Sequence, residues 1–128
     1  MREPARDEPV GPVGSRQPVA YDEDLAHRLR ELLADEDAVT EKMMFGGLAF
    51  LLHGNMSVSA SRNGGLLVRI DPADTEACLK RPHVALMEMG GRSMDGWITV
   101  APDGLKTKRQ LTAWVKRGVD YARTLPPK

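Results

Sequence analysis

Between Thr40 and Ile70 polar and apolar residues alternate, and a two-residue turn signal stands where the alternation breaks. Met56, Val58 and Ala60 interleave with Ser57, Ser59 and Ser61, the pattern of a strand with one face buried. Gly54-Asn55 and Asn63-Gly64 are dipeptides that accept positive φ in tight hairpins. After the second, Leu66, Val68 and Ile70 share one face while Leu67 and Arg69 share the other. Two adjacent glycines stand inside the apolar run MMFGGLAF, 43–50, where their backbone freedom makes them costly. Read as a third turn, Gly46-Gly47 divides the segment into strands near 40–45, 48–53, 56–61 and 65–70, an antiparallel meander. A bulge bending one long strand is the alternative.

A sheet with one apolar face needs a cover, and the flanking segments supply it. Leu25, Leu29, Leu32 and Leu33 recur at helical spacing, with Asp22 as a cap. This first helix is acidic: from Asp22 to Asp37 seven acids stand against Arg28 and Arg30. DPAD at 71–74 starts a short helix that must stop before Pro82. A weaker strand follows at Val84–Met89, then a loop over 90–96 and a strand at 97–100. Thr107 and Gln110 form a capping box for the last helix. Leu111, Trp114, Val115, Gly118, Val119 and Ala122 make its apolar stripe, and Pro126-Pro127 ends it. The class is α+β: a meander with amphipathic helices from both ends of the chain packed on it, plus one short helix. Residues 1–19 hold four of the nine prolines and no aromatic, so they read as a disordered extension, leaving 20–125 as the folded domain.

The 18 Lys and Arg balance the 18 Asp and Glu, which excludes a positive field over the whole molecule. An anionic partner must therefore be met by a local patch. Cys78 stands alone, so no internal disulfide forms and a reducing compartment fits. No apolar run approaches the roughly 20 residues that cross a bilayer, and no signal-type segment opens the chain. The expected location is cytoplasmic, without membrane association.

Catalytic patterns are missing. His27, His53 and His83 lack the spacing of zinc ligands, and Cys78 reads as a small buried hydrophobe. The glycine pairs at 46–47, 64–65 and 90–91 match no phosphate-binding loop. No catalytic activity, cofactor or metal is expected. Two features remain. Lys106, Lys108, Arg109, Lys116 and Arg117 crowd the last helix, either as a solvated face balanced by the acidic first helix or as a basic patch for an anionic partner. Arg69 shares its face with Leu67; were Leu67 exposed, the two would form an interface-like patch. Met43, Met44, Met87, Met89 and Met94 contribute either to such a surface or to the core.

The ordered set KMMFGGLAFLLHGNM, GLLVRI, GRSMDGWITV and LTAWVKRGVDYA resembles the TfoX/Sxy N-terminal domain family, from about Tyr21 to Arg123. The resemblance marks Met44, Phe45, Gly46 and Gly47 as a first signature, Arg69 as the basic residue ending the fourth strand, and Gly91, Arg92, Met94, Gly96 and Trp97 as a second, with Trp114 anchoring the last helix. It implies a transcription-related regulator, since the competence regulators of the family are co-activators acting with the cyclic-AMP receptor protein. Those regulators usually carry a second, C-terminal helical domain. None follows in this sequence, so a stand-alone, single-domain member is expected. The first functional reading is protein–protein interaction through Met44, Phe45, Gly46, Gly47, Arg69, Arg92, Met94 and Trp97, the partner being transcription machinery or a second copy. Direct nucleic-acid binding through the basic last helix ranks second. A small anionic ligand or an enzymatic role, with Arg69 or Arg92 as the clamp, ranks third.

Overall fold

A computed structural model describes residues 22–44, 46–61, 64–89 and 91–128. The extension over 1–19, Phe45 and Asn63 lie outside the described residues. The period-two segment forms β1 (Val39–Met44), β2 (Gly47–Leu52), β3 (Asn55–Ser61) and β4 (Leu66–Arg69). Two further strands, β5 (Val84–Met89) and β6 (Arg92–Val100), complete one antiparallel sheet of order β1-β2-β3-β4-β6-β5. Helices α1 (Glu23–Leu32), α2 (Thr75–Leu79) and α3 (Lys108–Thr124) complete the α+β architecture.

Two turns sit one residue earlier than the dipeptide rule places them. Met44 pairs with Gly47, so the turn between β1 and β2 closes before Gly47, and Gly47 opens β2. Gly46 supplies the positive φ of the turn, +72°. Gly47 is glycine for a different reason: a Cβ there would overlap the Ala60 carbonyl oxygen of β3. The β2–β3 turn is His53-Gly54, with positive φ at both positions as a two-residue hairpin requires. Asn55 belongs to the strand instead, where its buried side chain donates to the Pro126 carbonyl.

The 90–96 loop expectation is corrected too. The backbone of Arg92–Met94 continues the ladder, with Met94 opposite Met87 and Arg92 opposite Met89. Register then jumps to Ile98 opposite Leu86, leaving 95–97 as a bulge. The bulge is pinned from its other side: Gly96 N–H donates to Thr75 Oγ1 at 3.0 Å, and its carbonyl accepts from Ile70 N–H at 2.8 Å.

The main core lies on one face of the sheet. Phe50, Val58, Val68 and Ile98 form a cross-strand row there, under Leu25 and Leu29 of α1, Cys78 of α2 and the stripe of α3. That stripe is buried as its periodicity requires, and Thr107 and Gln110 make the reciprocal capping box. Such a cap stabilises a helix by about 1 kcal/mol. Asp22 and Asp71 cap the starts of α1 and of the 3-10 turn before α2 with their side chains, accepting from the Leu25 and Ala73 amides.

Candidate interaction surface

The second face of the sheet carries its own apolar cluster, and no residue of α1, α2 or α3 belongs to it among the described residues. Ala49, Met56, Leu67 and Met87 are buried in it, with Met44, Leu51, Met94 and Trp97 packed around them at intermediate exposure. Cross-strand register explains the layout. Ala49, Ser59, Leu67 and Thr99 form a row of mostly small residues across β2, β3, β4 and β6. One residue pair further along the strands, Leu51 lies opposite Met56 and Arg69 opposite Trp97, which places larger side chains beside that row.

Met56 reaches this face through a bulge. Phe50 pairs with Val58 but Leu51 pairs with Met56, so Ser57 is the extra residue. Its buried hydroxyl donates back to the Phe50 carbonyl at 2.9 Å. The simple alternation puts Met56 beside Val58 and Ala60; the bulge moves it to the opposite face. Leu67 is 3 % exposed, so the condition that would have made it an exposed partner of Arg69 is not met. The accessible parts of the face are the methionines, Trp97 and the bases around them.

Arg69 is half-buried at the end of β4. Its guanidinium lies 5.0 Å from the Trp97 ring centroid and 5.6 Å from that of Tyr121 on α3, tying the face to the last helix. Cation–π pairs of this kind contribute about 0.5–1 kcal/mol where solvent is near. Alternation with Met94 places Arg92 on the same side, and alternation with Met44 places Lys42 there. Glu41 turns to the helix side, where both of its oxygens accept from Arg30 at 2.8 and 2.9 Å. These two hydrogen bonds hold the Glu41 carboxyl below its usual range.

The fold thus brings Met44, Arg69, Arg92, Met94 and Trp97 together from three separated stretches. Gly46 lies in the turn beside Met44, Gly47 opens β2 opposite Met44, and Phe45 lies outside the described residues. Lys42, Leu51 and Met56 are the members that sequence reasoning missed. Lys42 was within reach, because it stands two residues before Met44 in the same strand. Met43 points the other way along β1 and is 52 % exposed.

The basic residues of α3 do not join this face. Lys106, Lys108, Arg109, Lys116 and Arg117 are all exposed on the helix side. Lys106 is 3.5 Å from Asp103, and Lys116 is 2.9 Å from Asp120, whose carboxylate raises the lysine's pKa. Arg117 and Arg81 lie over the Trp114 ring at 5.7 and 5.2 Å. Arg123 pairs with Glu36 beyond the end of α1. Lys106 and Lys108 face Asp24 and Glu31 across a shallow groove of about 440 Å³ between α1 and α3. The acidic first helix therefore sits against the basic last one.

Among the described residues no group of three or more His, Cys, Asp or Glu is placed to hold a metal ion. Cys78 is fully buried in the main core. No helix among the described residues is long and apolar enough to cross a membrane.

Comparison with curated proteins returns no match. The family model of the TfoX N-terminal domain, not a known catalytic family, matches residues 31–122, which covers β1 to β6 and nearly all of α3. The chain belongs to the TfoX N-terminal domain family.

Proposed function

We propose that this chain is a transcription-related regulatory module that works by binding another protein, with the second face of the sheet as its contact surface. One observation carries the reading: Met44, Arg69, Arg92, Met94 and Trp97, far apart in sequence, converge on a sheet face whose apolar cluster includes no residue of α1, α2 or α3 among the described residues. Trp, Met and Arg are the side chains enriched at protein interfaces, and a central Trp or Arg there contributes about 2 kcal/mol or more to binding. Methionines add a surface that repacks around its partner. The face spends these residues where a sheet facing only water would carry short polar ones.

The test is capture of partners from the cytosol of the source cell, with nuclease present. The native chain retains a protein that the Met94→Asp and Trp97→Ala variants lose, while both variants keep native cooperative unfolding. Equal capture by all three would remove the face from the account.

A second reading, nucleic-acid binding, is favoured by the exposure of Lys108, Arg109, Lys116 and Arg117 along one helix. It requires affinity that falls steeply with salt and drops when these four are replaced. Undetectable binding to duplex and single-stranded DNA at about 50 mM salt would end it.

A further inference from the structure

The charges of the second face are one-sided. Lys42, Arg69 and Arg92 share it, whereas the neighbouring acids of β1 and β5, Glu41 and Glu88, alternate to the other side. Asp95 lies in the bulge at the margin. Among the described residues no ion pair joins any of the three bases to a carboxylate. In a chain of zero net charge, three cations without carboxylate partners around an apolar patch form a local recognition pattern.

We propose that the partner of this face presents an acidic segment with apolar anchors, whose carboxylates are read by Lys42, Arg69 and Arg92. The inference rests on the protein-binding reading above and adds the chemistry of the partner. Apolar anchors seat among Met44, Leu51, Met94 and Trp97, which ring the small-residue row. Carboxylates meet the bases at the rim. Arginine suits this role because its planar fork takes a carboxylate bidentately. The rings of Trp97 and Tyr121 hold the Arg69 fork in place before the partner arrives, which lowers the ordering cost of binding. A nucleic acid is the poorer fit, since Trp97 offers one ring on this face where single-strand binders stack successive bases.

The experiment selects binders from a displayed library of random peptides about 15 residues long, roughly four helical turns. Selection uses the native chain and, separately, the Lys42→Glu/Arg92→Glu variant, which leaves the Arg69 contacts intact; Arg69→Glu is added in a third selection. Methyl resonances of Met44 and Met94 locate each binder. The expected result is enrichment of peptides rich in Asp and Glu with large apolar residues, which shift both methyl signals. Their affinity falls about tenfold or more for the doubly reversed variant and declines with salt. Peptides that shift both methyls but carry no acidic excess would overturn the acidic partner while leaving the protein interface standing. Failure to enrich any peptide that moves those signals would overturn both readings. A mixed-sequence single-stranded oligonucleotide that moves them at the peptide's concentration would also overturn the proposal, in favour of nucleic acid.

Discussion

Gly118 of α3 presses against Ser57 of β3 so closely that a Cβ on the glycine would lie 2.6 Å from the Ser57 carbonyl oxygen. Ser57 is the bulged residue of β3, so the same short stretch sets the helix against the sheet and turns Met56 to the opposite face. The two faces of the sheet are thereby linked through one strand.

Replacing Gly118 with Ala should therefore destabilise the fold, even though alanine favours helix by roughly 1 kcal/mol. The obstacle is backbone rather than a flexible side-chain end, so overpacking wins, with a net loss of about 1–3 kcal/mol. A urea midpoint unchanged or raised in Gly118→Ala would show that α3 does not sit this close.

The two glycines of the first turn separate in the same assay. Gly46 has open space but a φ of +72°, so Gly46→Ala costs the left-handed penalty of about 1–2 kcal/mol. Gly47 has ordinary φ but would drive a Cβ into the Ala60 carbonyl, so Gly47→Ala costs more and loosens the β2–β3 pairing. Hydrogen exchange at the Ala60 amide, which faces β2, should rise in the second variant and stay native in the first.

The Arg30–Glu41 pair predicts a small dependence on pH. Hydrogen bonding to Arg30 lowers the folded-state pKa of Glu41 below the ordinary glutamate value. The pair's contribution is therefore present above that value and lost as pH falls through the lower folded value. Both groups are more than a third exposed, so Glu41→Gln should cost only about 0.2–1 kcal/mol at neutral pH. Urea unfolding of native and variant chains should show that gap near neutrality and its closure once the pH has fallen through the lowered folded-state value.

Much of the fold is local and was legible. The stripe of α3, its capping box and the Asp71 cap follow from spacing alone, because each is satisfied within a few residues. The strand signals located β1 to β5 to within about a residue or two. What escaped depends on contacts between distant segments. Asn55 looks like a turn residue but is needed in the strand, where it holds the chain after α3 at Pro126. Arg92–Met94 looks like loop because the bulge at 95–97 interrupts its alternation with Trp97. Met56 looks inward because nothing near it in sequence announces the extra residue at Ser57. The interaction face was legible in part: Met44, Arg69, Arg92, Met94 and Trp97 came from motif resemblance and Lys42 follows from alternation with Met44, while Leu51 and Met56 join through the bulged register.

Placing a photo-crosslinking side chain at Met94 and, separately, at Arg109 tests the central claim directly, with crosslinking in the source cell followed by nuclease digestion. The account predicts a discrete protein adduct from position 94 that survives nuclease, and none from position 109. Adducts confined to position 109, or adducts from 94 that vanish with nuclease, would contradict it.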